Sequence, residues 1–78
     1  MATAKIEREM AAAGKGCLGK AADDEPVFIL RGQDIIAYEL VRRWADIAER
    51  HGCGADKIKE ARNLASAMYK WPTRKYPD

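Results

Sequence analysis

The chain predicts an all-α domain built on a helical hairpin, and three observations predict it. The run from Asp34 to His51 repeats its apolar residues at helical spacing. Gly52 closes that run, and the short segment Gly52-Cys-Gly-Ala55 follows. A second helical run then extends from Asp56 until Pro72 stops it. The hairpin is therefore expected over about 34–51 and 56–71.

In the first run, a rotation of about 100° per residue brings Ile36, Ala37, Leu40, Val41, Trp44, Ile47, Ala48 and His51 to one side. Glu39, Arg42, Arg43, Asp46, Glu49 and Arg50 fall on the other. A stripe this wide faces a core. Glycine at position 52 suits a left-handed C-terminal cap, and a loop this short joins antiparallel helices. The second run carries Ile58, Ala61, Leu64, Ala65, Met68 and Tyr69 as its stripe, with Trp71 at the edge. The residue before a proline avoids the helical region, which sets the end at Pro72. Alanines at 61 and 65 let the facing helix approach closely, and Trp44 is the expected knob that fills the space.

Residues 24–33 pack the hairpin in either of two ways. Asp24 caps a short helix with Glu25 and Pro26 in its first turn, where acids and proline are favoured. Alternatively the segment is irregular and pins Phe28 and Leu30 into the core. A lone strand over Val27–Leu30 has no partner run elsewhere in the chain. Residues 1–22 form a separate N-terminal segment, either helical or partly disordered. Thr3 is the N-cap of a helix that Gly14 and Gly16 end, and an isolated helix this short needs a docking surface. Residues 23–72 make the helical domain, and residues 73–78 a loosely held tail.

With 78 residues, a single domain is the limit, and its core is small. Cys17 and Cys53 allow one disulfide at most, so oligomerisation is the expected further source of stability. The chain starts at Met1 with polar and alanine-rich sequence, and no apolar run reaches the ~20 residues that span a bilayer. The expectation is a cytoplasmic protein with reduced thiols and no membrane partner.

The net charge is +2, with fourteen basic and twelve acidic residues interleaved as on solvated helix faces. That pattern disfavours a nucleic-acid binder, which clusters its cations. Lys70, Arg74 and Lys75 are the single local excess. They support a weaker alternative, contact with nucleic acid through the C-terminus.

No motif carries a complete chemistry. His51, Cys53 and distant Cys17 are three soft ligands where structural zinc needs four. His51 and Cys53 are two apart in a turn, with no group to orient a base. Asp23-Asp24-Glu25 reads as helix-start chemistry on a loop. Gly14-Lys-Gly-Cys-Leu-Gly19-Lys20 has the glycine and lysine spacing of a phosphate loop. However, Ala21 stands where a magnesium-binding hydroxyl belongs, and no strand precedes it. No enzyme, cofactor or metal is expected.

The aromatics suggest recognition instead. Tyr38 lies off its helix's apolar stripe, and Trp71 sits at a helix end beside cations; exposed aromatics next to cations suit binding hot spots. Trp71 can equally fold back to cap the hairpin. The candidate surface joins Phe28, Arg31 and Gln33 to Tyr38, Arg42 and Trp71. An alternative, a nucleotide-signal binding oligomer, would use Arg31, Arg42 and Arg43 on phosphates and stack Tyr38 or Trp71 on a base.

Over residues 18–72 the chain quotes Leu18-Gly-Lys-Ala, Asp24-Glu-Pro-Val-Phe-Ile-Leu-Arg31, Gln33-Asp34, Val41, Trp44-Ala45, Ala48, Gly52, Ala61-Arg62, Ala65, Met68 and Trp71-Pro72. This set, about two thirds of the chain, resembles small helical proteins of tailed phages and prophages of proteobacteria. The resemblance carries no catalytic residue. It implies a phage accessory protein that binds and blocks a host component, including anti-defence factors of the anti-CRISPR kind. Fold alone does not supply that function. The +2 charge disfavours the acidic, DNA-mimicking subtype.

Overall fold

Two adjacent helix-stopping signals and two helix-length apolar repeats produce four helices. In the computed structural model, which describes residues 2–77, these are α1 (Ala4–Ala12), α2 (Gly16–Lys20), α3 (Ala37–Arg50) and α4 (Ala55–Tyr69). Met1 and Asp78, the outer ends of the expected N-terminal segment and tail, lie outside the described residues. The fold is all-α, 57% helical, with no strand among the described residues. The close helix pairs are α1 with α2 and α3 with α4, so a helical corner precedes a helical hairpin.

The corner follows from glycine. Thr3 caps α1 by accepting from the Ile6 amide at 3.3 Å. At the other end the Lys15 amide reaches Met10 O at 2.7 Å and the Gly14 amide reaches Ala11 O at 3.0 Å. These paired bonds around a left-handed residue close a helix. The chain then turns back into α2, which the sequence did not lead us to expect. A Cβ at Gly19 would lie 2.8 Å from the Gly14 carbonyl carbon and 3.2 Å from Ala11 Cα. The spacing that resembles a phosphate loop is thus the signature of two helices crossing at backbone contact.

The same cap geometry turns α3 into the hairpin. Gly52 has φ +75°, the Cys53 amide donates to Ala48 O at 3.0 Å, and the Gly52 amide donates to Glu49 O at 3.1 Å. Between α3 and α4 the buried residues are small: Ala37, Ala45 and Ala48 face Ile58 and Ala65. Among the described residues no large side chain is fully buried. The expected Trp44 knob is absent from this seam, because Trp44 is 50% exposed. Close backbone approach through alanine leaves no volume for an indole between the helices.

The hairpin helices differ from their expected bounds at both outer ends. Helix α3 begins at Ala37, not 34, because residues 33–35 are engaged by the tail. Lys75 N donates to Gln33 O at 2.8 Å and Ile35 N donates to Lys75 O at 2.9 Å, a single parallel bridge. The tail expected to be loose is therefore fastened through Arg74 and Lys75. Helix α4 ends at Tyr69, and Trp71 lies beyond it.

Residues 25–31 are irregular, the second of the two expected conformations. They do not pin Phe28, which is 85% exposed; Leu30 alone of that pair is half-buried.

Ile58, 4% exposed, is the largest buried side chain of the seam. Ile58→Ala is expected to cost about 2–5 kcal/mol, read as a lowered urea midpoint. Gly19→Ala is expected to destabilise the α1–α2 corner while sparing the hairpin, read by amide exchange confined to residues 4–20.

Candidate functional site

On one flank of the hairpin, α3 and α4 splay to form an open groove of about 560 Å³ lined by Tyr38, Arg42, Asp46, Arg62, Ser66, Tyr69 and Lys70. Helical periodicity builds its first wall. Tyr38, Arg42 and Asp46 are spaced by four and so stack along one edge of α3. Arg62, Ser66 and Lys70 repeat the spacing on α4.

Aromatic rings close one end. Tyr38 and Tyr69 meet edge to face with centroids 4.8 Å apart. The Arg74 guanidinium lies 5.6 Å from the Tyr38 centroid and 5.1 Å from that of Tyr69. It also donates to Tyr69 O and Ile35 O, each at 2.9 Å. One cation thus ties the end of α4 to the entry of α3 and fixes both rings. Cation–ring contacts of this kind contribute about 0.5–1 kcal/mol each at exposed sites. The basic C-terminal cluster is therefore partly consumed in structure: Arg74 is spent inside the chain.

A charge clamp closes the other end. Arg62 donates to Asp46 Oδ1 at 3.0 Å and to Glu49 Oε2 and Oε1 at 3.1 and 3.2 Å. The guanidinium bond and its charge hold the Glu49 carboxyl below its ordinary value of 4.5, against a small opposing effect of neighbouring Asp46. The same two carboxylates raise the Arg62 guanidinium further.

Between these ends, the side chains of Arg42 and Lys70 make no hydrogen bond or ion pair among the described residues. The groove is therefore a rigid frame with two uncommitted cations and two ring surfaces. It suits an anionic group flanked by something flat or apolar.

The structure brings Tyr38 and Arg42 of the expected surface together and disperses the rest. Arg43 sits on another side of α3, 3.7 Å from Glu39. Trp71 is 55% exposed and rests against Gly32, where an added Cβ would lie 3.7 Å from Trp71 Cγ. It both covers the backbone and shows a face to solvent. Gln33 is half-buried and contributes its carbonyl to the tail bridge, while Arg31 and Phe28 project outward. Tyr69 and Arg62 were not among the expected site residues, and Lys70 and Arg74 were expected only as part of a basic C-terminal cluster. The acids at 46 and 49, one turn apart, are the signal that could have found the Arg62 clamp; no local pattern marks Arg74.

Cys17 and Cys53 are free and exposed. Among the described residues no group of three or more His, Cys, Asp or Glu is placed to hold a metal, and no helix is long and apolar enough to cross a membrane. No protein family, no curated protein and no solved structure matches the chain.

The lowered Glu49 carboxyl has a definite pH consequence. Its contribution is complete above the unfolded carboxyl value and is lost as pH falls through the lower folded one. The melting temperature is expected to decline below about pH 4.5, and Arg62→Gln is expected to flatten that decline. At neutral pH the same substitution lowers stability only slightly, since exposed pairs are screened. A thermal melt series across pH at low ionic strength reads both.

Proposed function

We propose that this chain is a non-catalytic recognition module that binds and blocks a host protein, an accessory factor of the phage type its sequence resembles, with an anti-defence role in the host cytoplasm. The observation that carries the reading is the Tyr38–Tyr69 groove. Arg42 and Lys70 form no ion pair among the described residues, although Arg43 and Arg62 do, and Asp46, the acid in the wall, is held by Arg62. A surface that leaves two cations unpaired beside two fixed rings favours an acidic segment carrying an aromatic or aliphatic anchor. Tyrosine and arginine are the residues that dominate protein-binding hot spots. Preorganisation by Arg74 and Arg62 limits the ordering that binding must impose.

The second reading is a nucleotide-signal binder. The groove volume falls within the range of about 300–1,000 Å³ usual for small ligands, and Arg42 with Lys70 would take the phosphates. Asp46 in the wall and the width of the opening weigh against it. Binding of nucleic acid through the C-terminus is weaker still, because Arg74 is committed to backbone carbonyls.

The test is affinity capture from host lysate with wild type and Arg42→Glu, followed by titration of whichever protein is recovered. Arg42→Glu is expected to weaken binding about 30-fold, the effect of a hot spot near 2 kcal/mol. Equal recovery by both forms overturns the protein-binding reading. A melting temperature raised by a nucleotide in wild type and not in Arg42→Glu would establish the second.

A further inference from the structure

The apolar stripe of α3 is wider than α4 can cover. Ala37, Val41, Ala45 and Ala48 point into the hairpin seam. Ile36, Leu40, Trp44 and Ile47 lie about 100° further round the helix. They remain 41%, 45%, 50% and 47% exposed. Leu40 and Trp44 line an open groove of about 370 Å³ together with Leu30, Val41, Ala61 and Leu64, and Ala2, Glu7, Lys57 and Glu60 border it. Leu30 leads from this groove into Val27, Phe28 and Ile29, which are 55%, 85% and 71% exposed. The backbone amides and carbonyls of residues 27–30 make no hydrogen bond among the described residues.

The exposed area exceeds what the mass predicts. A folded monomer of 8.7 kDa is expected to expose about 4,700 Å². This chain exposes 6413 Å². The excess, about 1,700 Å², is spread over the whole chain, and the α3 face with Val27, Phe28 and Ile29 is one part of it; a standard protein interface takes about 800 Å² per side.

We infer that the α3 face centred on Trp44 is a homodimer interface, in which two hairpins pack as a four-helix assembly about a two-fold axis. Three features favour a second copy of this chain as the occupant. The patch is arranged symmetrically along α3, with Leu40 one turn before Trp44 and Ile47 one turn after it. A two-fold axis through Trp44 therefore sets Leu40 against the partner's Ile47, as a self-complementary surface requires. The rim is mixed in sign: Lys57 and Glu60 border the groove together, and Arg43 keeps Glu39 beside it. A mixed rim meets its own copy without net repulsion, where a single-sign rim would select a foreign partner. The missing burial is also large relative to what a domain this small can spare.

Sedimentation equilibrium of the full chain tests this directly. The expected mass is twice 8.7 kDa, with a melting temperature that rises with protein concentration. In a Trp71→Phe background Trp44 is the one indole, and its emission is expected to be blue-shifted and shielded from quencher. Trp44→Glu and Leu40→Glu are each expected to weaken association at least about 100-fold, as loss of a central hot spot does. Both residues lie outside the hairpin seam, so helical circular dichroism reports whether the variant chains still fold. Should they unfold, the wild-type mass and the Trp44 emission decide alone. Arg42→Glu, on the opposite flank, is expected to leave the mass unchanged, which separates this result from the fate of the recognition reading. A single-chain mass at every concentration, or a solvent-exposed Trp44, overturns the proposal. So does a dimer that survives Trp44→Glu and Leu40→Glu, or a chain that gains a partner only from another protein.

Discussion

The alanine seam between α3 and α4 is the constraint on which the rest of the structure depends. Ala37, Ala45, Ala48 and Ala65 are the buried residues there, joined by one larger side chain, Ile58. Small residues permit close helix approach, and close approach leaves no thickness in which to store leucine or tryptophan. Each buried methyl contributes less than about 1 kcal/mol. The seam therefore fixes geometry more than it supplies stability. Large apolar side chains of α3 are displaced to the flank, where Leu40, Trp44 and Ile47 remain exposed, so the surface is defined by what the core cannot hold.

The two flanks resolve this displacement differently. On the groove flank the chain compensates with directed bonds. Arg62 bridges two carboxylates one turn apart, and Arg74 joins two carbonyls and two rings. Arg74 Nε is buried with no acceptor among the described residues, so the side chain is held by its two terminal nitrogens and the tyrosine faces. An N–H left unpaired in this way costs about 1–3 kcal/mol. Its retention indicates that the ring contacts and the two carbonyl bonds outweigh that loss. The tail bridge to residues 33–35 follows from the same anchor, because Lys75 is adjacent to Arg74. On the other flank no directed bonds are available, and the apolar stripe is simply left facing outward.

Helical periodicity and glycine made the hairpin legible in the sequence. Its loop was read from Gly52, and its C-terminal limit was placed within two residues of the observed one. The N-cap at Thr3 was legible because a cap needs only local atoms. The misplaced start of α3 has a long-range cause: residues 33–35 are committed to a tail some forty residues away. The reading of Trp44 as core failed for a related reason. A helical wheel reports which residues share a face, and it cannot tell which half of a wide stripe the next helix will cover. Within the site, Tyr38 and Arg42 were legible because an aromatic and a cation off the stripe have no structural duty on their own helix. Arg43, equally off the stripe, was indistinguishable from Arg42 by sequence, and only the position of α4 separates them. Phe28 was read both as a core pin and as part of the candidate surface; at 85% exposed it fails only the first reading, which assumed that every apolar run is buried.

The split stripe also separates folding from recognition. Around α3 the Tyr38–Arg42 edge lies about 150° from the Leu40–Trp44 edge, with the seam between them. A two-fold contact through Trp44 consequently leaves both grooves pointing away from the axis and unobstructed. Two grooves on one rigid body convert a second binding event into an intramolecular one wherever a target presents repeated or symmetric sites. The gain needs no improvement in the groove itself, whose open shape and shared Asp46 wall limit its single-site affinity. Association through Trp44, as inferred above, would supply the burial that an alanine seam cannot, and it would present the groove of the proposed function twice.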